Sequence, residues 1–300
     1  MVVPVGAVFL LHTGARIALE SFTVHPSTVI GIVALAALYE WAARGARREA
    51  GEGRRSVDAR LSATPSILAR RPPPAARRPL FYAALALLFL ALNGWLHDLS
   101  DTYLFSAHMV QHLLLALAVA PLMIMGTPGW MLRPALDIRG IRPVARWITR
   151  PRQAFAIFNI VVAAWHLPPL YNLAMAHHSV HIMQHVMFLV ASVLMWWPVL
   201  SPLPELPRLS YPGQMLYLFL MTIPMSIVSV AIAYADRLLY PAYASAPRLW
   251  GLTPMIDQML GGLIMWIPGG LYFFAIISVV FFRWQQREGA DTIEAAQVVS

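Results

Sequence analysis

The sequence predicts an all-α protein, a polytopic membrane bundle of about seven transmembrane helices with its N-terminus outside and its C-terminus in the cytoplasm. Three observations carry this. Of 300 residues, 59% are hydrophobic and 12% charged, about half the ~25% charged share usual in soluble proteins. Seven apolar runs approach the ~20 residues that a bilayer demands, with Arg- and Pro-rich stretches between them. Finally, 19 of the 22 Arg lie in loops 44–79, 126–152 and 201–212 and the C-terminal stretch 283–300. Seven spans put those four segments on one side, which the positive-inside rule assigns to the cytoplasm.

Taken in order, residues 1–26 form an extracytoplasmic segment whose apolar piece, Val2 to Leu11, is too short to span. No positively charged region precedes it, so a cleaved signal peptide is not expected. The membrane domain runs over 27–283, with spans at 27–43, 80–96, 108–125, 153–170, 180–200, 214–234 and 256–282. Loop 44–79 holds ten Arg and Pro72-Pro73-Pro74; it reads as an extended cytoplasmic loop that meets anionic lipid headgroups. Loop 126–152 adds six Arg. Pro168-Pro169 should end or kink span four. A longer loop at 235–255 precedes span seven, and 284–300 is a polar cytoplasmic tail.

Composition excludes several functions. The net charge of +8 resides in loops between apolar runs, which argues against nucleic acid as a partner. There is no Cys, so disulfides, zinc ribbons and thiolate copper sites are ruled out. No nucleophile–base pair or catalytic motif is present, so the chain is read as a non-enzyme.

The ten histidines carry the functional signal. Placed on the seven spans, His12, His25, His97, His108, His112, His166, His177, His178, His181 and His185 all fall on the extracytoplasmic half. His108 and His112 open span three, and His181 and His185 open span five; residues four apart share a helix face. Such a pair clamps one metal from one helix, and His166 approaches from a third. An internal echo links Asn93 to His112 with Trp165 to His185, and two hairpins built on one plan imply a pseudo-symmetric site between them.

Ionisable groups at membrane depth are expensive without a partner, and imidazole suits copper, zinc and iron while thioether suits Cu(I). His and Met without Cys on an oxidising face point to copper, bound by His108, His112, His166, His181 and His185. His97, Asp257 and Met183 are further candidates, Asp257 as a ligand or as the support of one; Gln111 and Gln184 read as supporting partners. A lone membrane His is more often a hydrogen-bond partner, which is the competing reading of His97, and His177 and His178 read as solvated. Imidazole must be neutral to bind metal, so loading should weaken below about pH 6.

Three blocks of residues resemble a known family. They are His108-x-x-x-His112 with Ala120-Pro121-Leu122 and Gly126-x-Pro128; Trp165-His166-Leu167-Pro168-x-Leu170-Tyr171 with His181-x-x-Gln184-His185 and Trp196-Trp197-Pro198; and Asp257-Gln258-x-x-Gly261-Gly262-x-Ile264-Met265-Trp266. As a set, covering roughly residues 80–283, they are similar to the multi-span CtaG family of assembly factors for caa-type cytochrome c oxidases. The resemblance implies a seven-helix protein of the bacterial plasma membrane, with haem–copper oxidase subunits as partners and the oxidase copper centre as its concern. Two readings compete. A haem-b electron carrier would take one His from each of two helices, on opposite faces of the macrocycle, which tight i,i+4 pairs fit less well. A copper or proton permease would need polar groups continuing to the cytoplasmic half, where Asn159 is nearly alone.

Overall fold

The computed structural model describes residues 23–58 and 77–299. Its regular elements are helices, with no strand among the described residues. In chain order these are α1 (Pro26–Asp58), α2 (Arg78–Leu92), α3 (Gly94–Asp98) running into a π turn (Leu99–Tyr103), and α4 (Phe105–Leu113). A second π turn (Leu114–Val119) leads to α5 (Ala120–Gly126), then α6 (Gly129–Asp137), α7 (Ile141–Ile148), α8 (Pro151–His166) and α9 (Pro168–Ala176). The last three are α10 (His178–Leu200), α11 (Tyr211–Ala233) and α12 (Pro254–Val299). Five of the described helices are long and apolar enough to cross a membrane, or seven when two bent pairs each count as one span.

Those bent pairs have local causes. The run read as continuous over 80–96 breaks at Asn93, whose backbone is extended (φ −143°), and Gly94 adopts φ +64°, a conformation open mainly to glycine. The break is latched by the segment before α1. The His25 amide donates to Asn93 Oδ1 (2.8 Å), and the Gly94 amide to the Thr23 carbonyl. The second break sits at Leu167, because the residue before a proline is steered out of the helical region; α8 and α9 meet at 71°. One expectation changes: α1 continues through Asp58, so the first part of the stretch read as an extended loop is helical. Its Ala, Arg and Glu are strong helix formers, and no proline intervenes there. The remainder of that loop, 59–76, lies outside the described residues, as do residues 1–22.

α10 lies at the centre, against α8, α5 and α9, while α12 packs along α11 and crosses α4. Met195, Trp196, Leu218, Met221 and Phe273 fill the space between them. Large apolar side chains such as Ile30, Val33, Trp41, Leu216 and Ile227 face outward, as lipid in place of water allows. Between lipid-bathed helices, close packing supplies the attraction. A Cβ at Gly262 would stand 2.7 Å from the Ser229 carbonyl oxygen, so the α11–α12 contact requires glycine there.

The π turn after α4 is explained by Pro121. Proline has no N–H, so one donor is missing for the carbonyls four and five residues before it, Leu117 on an α-helical path and Ala116 on a π path. Both are satisfied from neighbouring helices. Tyr272 Oη donates to the Leu117 carbonyl (2.6 Å) and Trp196 Nε1 to the Ala116 carbonyl (2.8 Å). This matters in a membrane, where an unpaired backbone group finds no water.

The breaks, the starts of α4 and α10, and the loop between α11 and α12 gather at one end of the bundle. The Arg-bearing α6 and α7 lie at the other. The loop is anchored through Gln258, which accepts from the Leu239 amide (2.7 Å) and donates to the Arg237 carbonyl.

Candidate functional site

The site is built on the first turns of α4 and α10. Asp257, at the start of α12, accepts the amides of Phe105 (2.7 Å) and Ser106 (3.1 Å) and the Ser106 hydroxyl. A carboxylate there complements the positive end of α4 and satisfies amides that no carbonyl reaches. It fixes the turn from which His108 and His112 project.

His108, His181 and His185 are buried, and each offers a ring nitrogen within 4.8 Å of the others. The His108 ring lies 5.4 Å from that of His181 and 5.9 Å from that of His185, centroid to centroid. Both nitrogens of His108 and Nε2 of His181 and His185 have no hydrogen-bond partner. Buried polar groups are nearly always paired, and leaving one unpaired costs about 1–3 kcal/mol. Several such atoms converging from two helices could hold a metal ion.

His181 is oriented by a neighbour. Its Nδ1 lies 3.4 Å from Asp101 Oδ2, which leaves Nε2 with its lone pair towards the other imidazoles. The same oxygen lies 3.3 Å from His97 Nε2, while Gln111 Nε2 stands 3.0 Å from His97 Nδ1 and donates to the Ala91 carbonyl (2.7 Å). Both nitrogens of His97 are thereby engaged. Carboxylate behind imidazole is the usual way to fix a ligating tautomer and raise its basicity.

His112 and His166 lie next to this trio, with rings 5.9 Å apart and His112 5.6 Å from His185. His166 donates Nδ1–H to the Val162 carbonyl (2.7 Å), and its Nε2 is unpartnered. The α11–α12 loop closes this end with aromatic side chains. Tyr240 donates to the His166 carbonyl (2.8 Å). Tyr171 donates to Tyr243 (2.8 Å), which donates to the Ser100 carbonyl (2.6 Å). Burial raises the pKa of Tyr240 and Tyr243 above the usual phenol value, so both stay protonated donors at neutral pH. Beside His185, a cavity of about 160 Å³ runs between α1, α2 and α10, with Ser27, Ile32 and Leu88 in its walls.

The family model of the cytochrome c oxidase caa3 assembly factor (Caa3_CtaG) matches residues 37–287, a stretch that includes every residue of this cluster. This chain belongs to the caa3 cytochrome c oxidase assembly factor family. Among curated relatives are an uncharacterized protein of Mycobacterium bovis and one of Mycobacterium tuberculosis, each 24% identical over 201 residues, 62% of this chain and 30% of theirs. An uncharacterized protein of Mycobacterium leprae is 23% identical over 223 residues, 68% of this chain and 33% of its own. The chain thus matches only about a third of the length of these relatives. No solved structure matches it significantly.

In this member of the assembly-factor family the expected ligands separate by position. His108, His181 and His185 converge, and His112 and His166 lie beside them. His97 supports Asp101. The carboxylate of Asp257 accepts the hydrogen bonds that hold the start of α4. Met183 is 48% exposed on the outer face of α10, because it is two residues from both His181 and His185 and so lies on another side of the helix. His177 and His178 are exposed, His25 stands 4.4 Å from the His97 ring, and His12 lies outside the described residues. Asp101 went unnoticed in the sequence as a functional residue, although its spacing of four from His97 was a readable signal. Tyr240 and Tyr243 sit in a Pro-rich loop with no periodicity to mark them.

Proposed function

We propose that this chain binds copper as cargo at His108, His181 and His185 and supplies it to a haem–copper oxidase during assembly. The observation that carries this is the convergence of three buried imidazoles with unpartnered nitrogens, backed by Asp101. Imidazoles without thiolate suit copper, and a three-nitrogen site open to exchange fits a carrier better than a closed cage does. The Arg distribution supports placing the histidine end on the outer face of a bacterial plasma membrane, with α6, α7 and loop 44–79 against anionic cytoplasmic lipid. An oxidase subunit is the partner that receives the metal.

Copper analysis of detergent-purified protein, with and without His181→Ala plus His185→Ala, tests this. Copper content that is unchanged in the double variant would refute the assignment. The haem reading is disfavoured by space. The cavities beside His185 and His112 are about 160 and 20 Å³, whereas sites for bulky ligands occupy roughly 300–1,000 Å³. A Soret band in the purified protein would restore it. The permease reading is disfavoured by the apolar lining of the cavity next to His112, which includes Leu113, Leu117 and Phe158.

A further inference from the structure

Below the three-imidazole cluster lies a separate small cavity of about 20 Å³, with His112, His166, Phe158, Phe188, Met225 and Met265 in its wall. Its donor-bearing residues come from four helices, His112 from α4, His166 from α8, Met225 from α11 and Met265 from α12, with Phe188 added from α10. It is large enough for one water-sized occupant, which needs roughly 10–15 Å³. A water would also need two to four polar partners, and the wall offers few. Only His112, His166 and the two methionines carry side-chain atoms with lone pairs; the rest of the wall is hydrocarbon.

The side chains that border this cavity include donor types that a soft cation takes. Both nitrogens of His112 and Nε2 of His166 are buried without partners. The proton of His166 is committed to the Val162 carbonyl, so its Nε2 presents a lone pair. Met225 and Met265 are 8% and 4% exposed. The end of Met225 is seated by a glycine: a Cβ at Gly269 would lie 2.3 Å from the Met225 methyl. No carboxylate or carbonyl oxygen suited to a hard divalent ion is in the wall, whereas imidazole with thioether is a set that favours Cu(I).

We propose that His112, His166, Met225 and Met265 form a second metal site, selective for Cu(I) and distinct in its residues from the three-imidazole site above it. His112 is 5.6 Å from His185, ring to ring, so the two sites are neighbours on one line into the bundle. The proposal stands on its own cavity and donors and does not require the upper site to bind metal.

The test uses the full chain purified in detergent, titrated with Cu(I) under ascorbate and desalted before metal analysis and copper X-ray absorption. The expected result for the wild type is two copper ions per chain, with sulfur as well as nitrogen scattering. Met225→Leu plus Met265→Leu should lose one ion and the sulfur signal. His181→Ala plus His185→Ala should keep the sulfur-bound ion, which separates failure of the upper site from failure of this one. Gly269→Ala, which removes no donor and displaces only the end of Met225, should weaken the sulfur signal if the paired methionine variant does not fold. Wild-type protein whose Cu(I) shows nitrogen scattering alone, or a folded methionine variant with undiminished copper and sulfur scattering, overturns the proposal.

Discussion

Replacing Asp101 with Asn should weaken copper binding without abolishing it. In the wild type one carboxylate oxygen serves two imidazoles, at 3.4 Å from His181 Nδ1 and 3.3 Å from His97 Nε2. The Asn amide keeps one acceptor oxygen but loses the charge that supports His181 as a ligand. Removing such a supporting partner typically lowers metal affinity by about 10–100-fold, which is ~1.4–2.8 kcal/mol at 1.4 per decade. The Asp101 side chain is 26% exposed, and solvent screens the lost charge, so the lower part of that range, roughly 10–30-fold, is expected. Copper per chain at saturation should stay at the wild-type value, because no ligand nitrogen is removed. A competition titration against a chromophoric Cu(I) chelator measures the affinity, and a thermal melt in the same detergent checks the fold. A D101N protein with a normal melt and an affinity within about twofold of wild type would refute the role given to Asp101.

Asp257→Asn should lower thermal stability, by about 0.5–2 kcal/mol as for other lost helix caps, with copper stoichiometry unchanged; a folded variant without copper would make Asp257 a ligand after all. Met183→Leu should leave copper content and melting temperature at wild-type values, and loss of metal would contradict its outward placement. Tyr272→Phe strands the Leu117 carbonyl and should cost about 1–3 kcal/mol. In a Pro121→Ala background, which restores an N–H, the same change should cost less; purely additive effects in the double-mutant cycle would sink the explanation of the π turn. Gly262→Val places atoms against the Ser229 carbonyl and the Ala233 amide and should abolish accumulation of folded protein. A normal monodisperse peak in size-exclusion chromatography would contradict the close α11–α12 contact.

Much of the bundle was legible in the sequence because the bilayer allows few solutions. Apolar runs marked the five long apolar helices and the two bent pairs, and Pro168 marked the break after α8. The break at Asn93 was not legible, since it depends on the Thr23–His25 segment, distant in sequence, supplying bonds to Asn93 and Gly94. The i,i+4 spacing placed His108 with His112 and His181 with His185. Which pairs converge is a matter of helix rotation, set by packing, and it groups His108 with the α10 pair while His112 lies near both His185 and His166. Asp257 shows the limit of residue type as a guide, because nothing in the sequence says that its carboxylate accepts the Phe105 and Ser106 amides. Met225 and Met265 carry no spacing signal in the sequence, and only the fold sets them beside two imidazoles.

The π turn at Leu114–Val119 has a consequence for how this helix can vary. Such a turn holds one residue more than an α-helical path would, and each residue of an α-helix advances the face by ~100°. Deleting one residue between 114 and 119 would give a straighter rod. It would also swing His108 and His112 out of phase with Ala120–Gly126, so that only one half met its neighbours. The extra residue therefore acts as a rotary spacer, and the length of this segment is constrained to the residue.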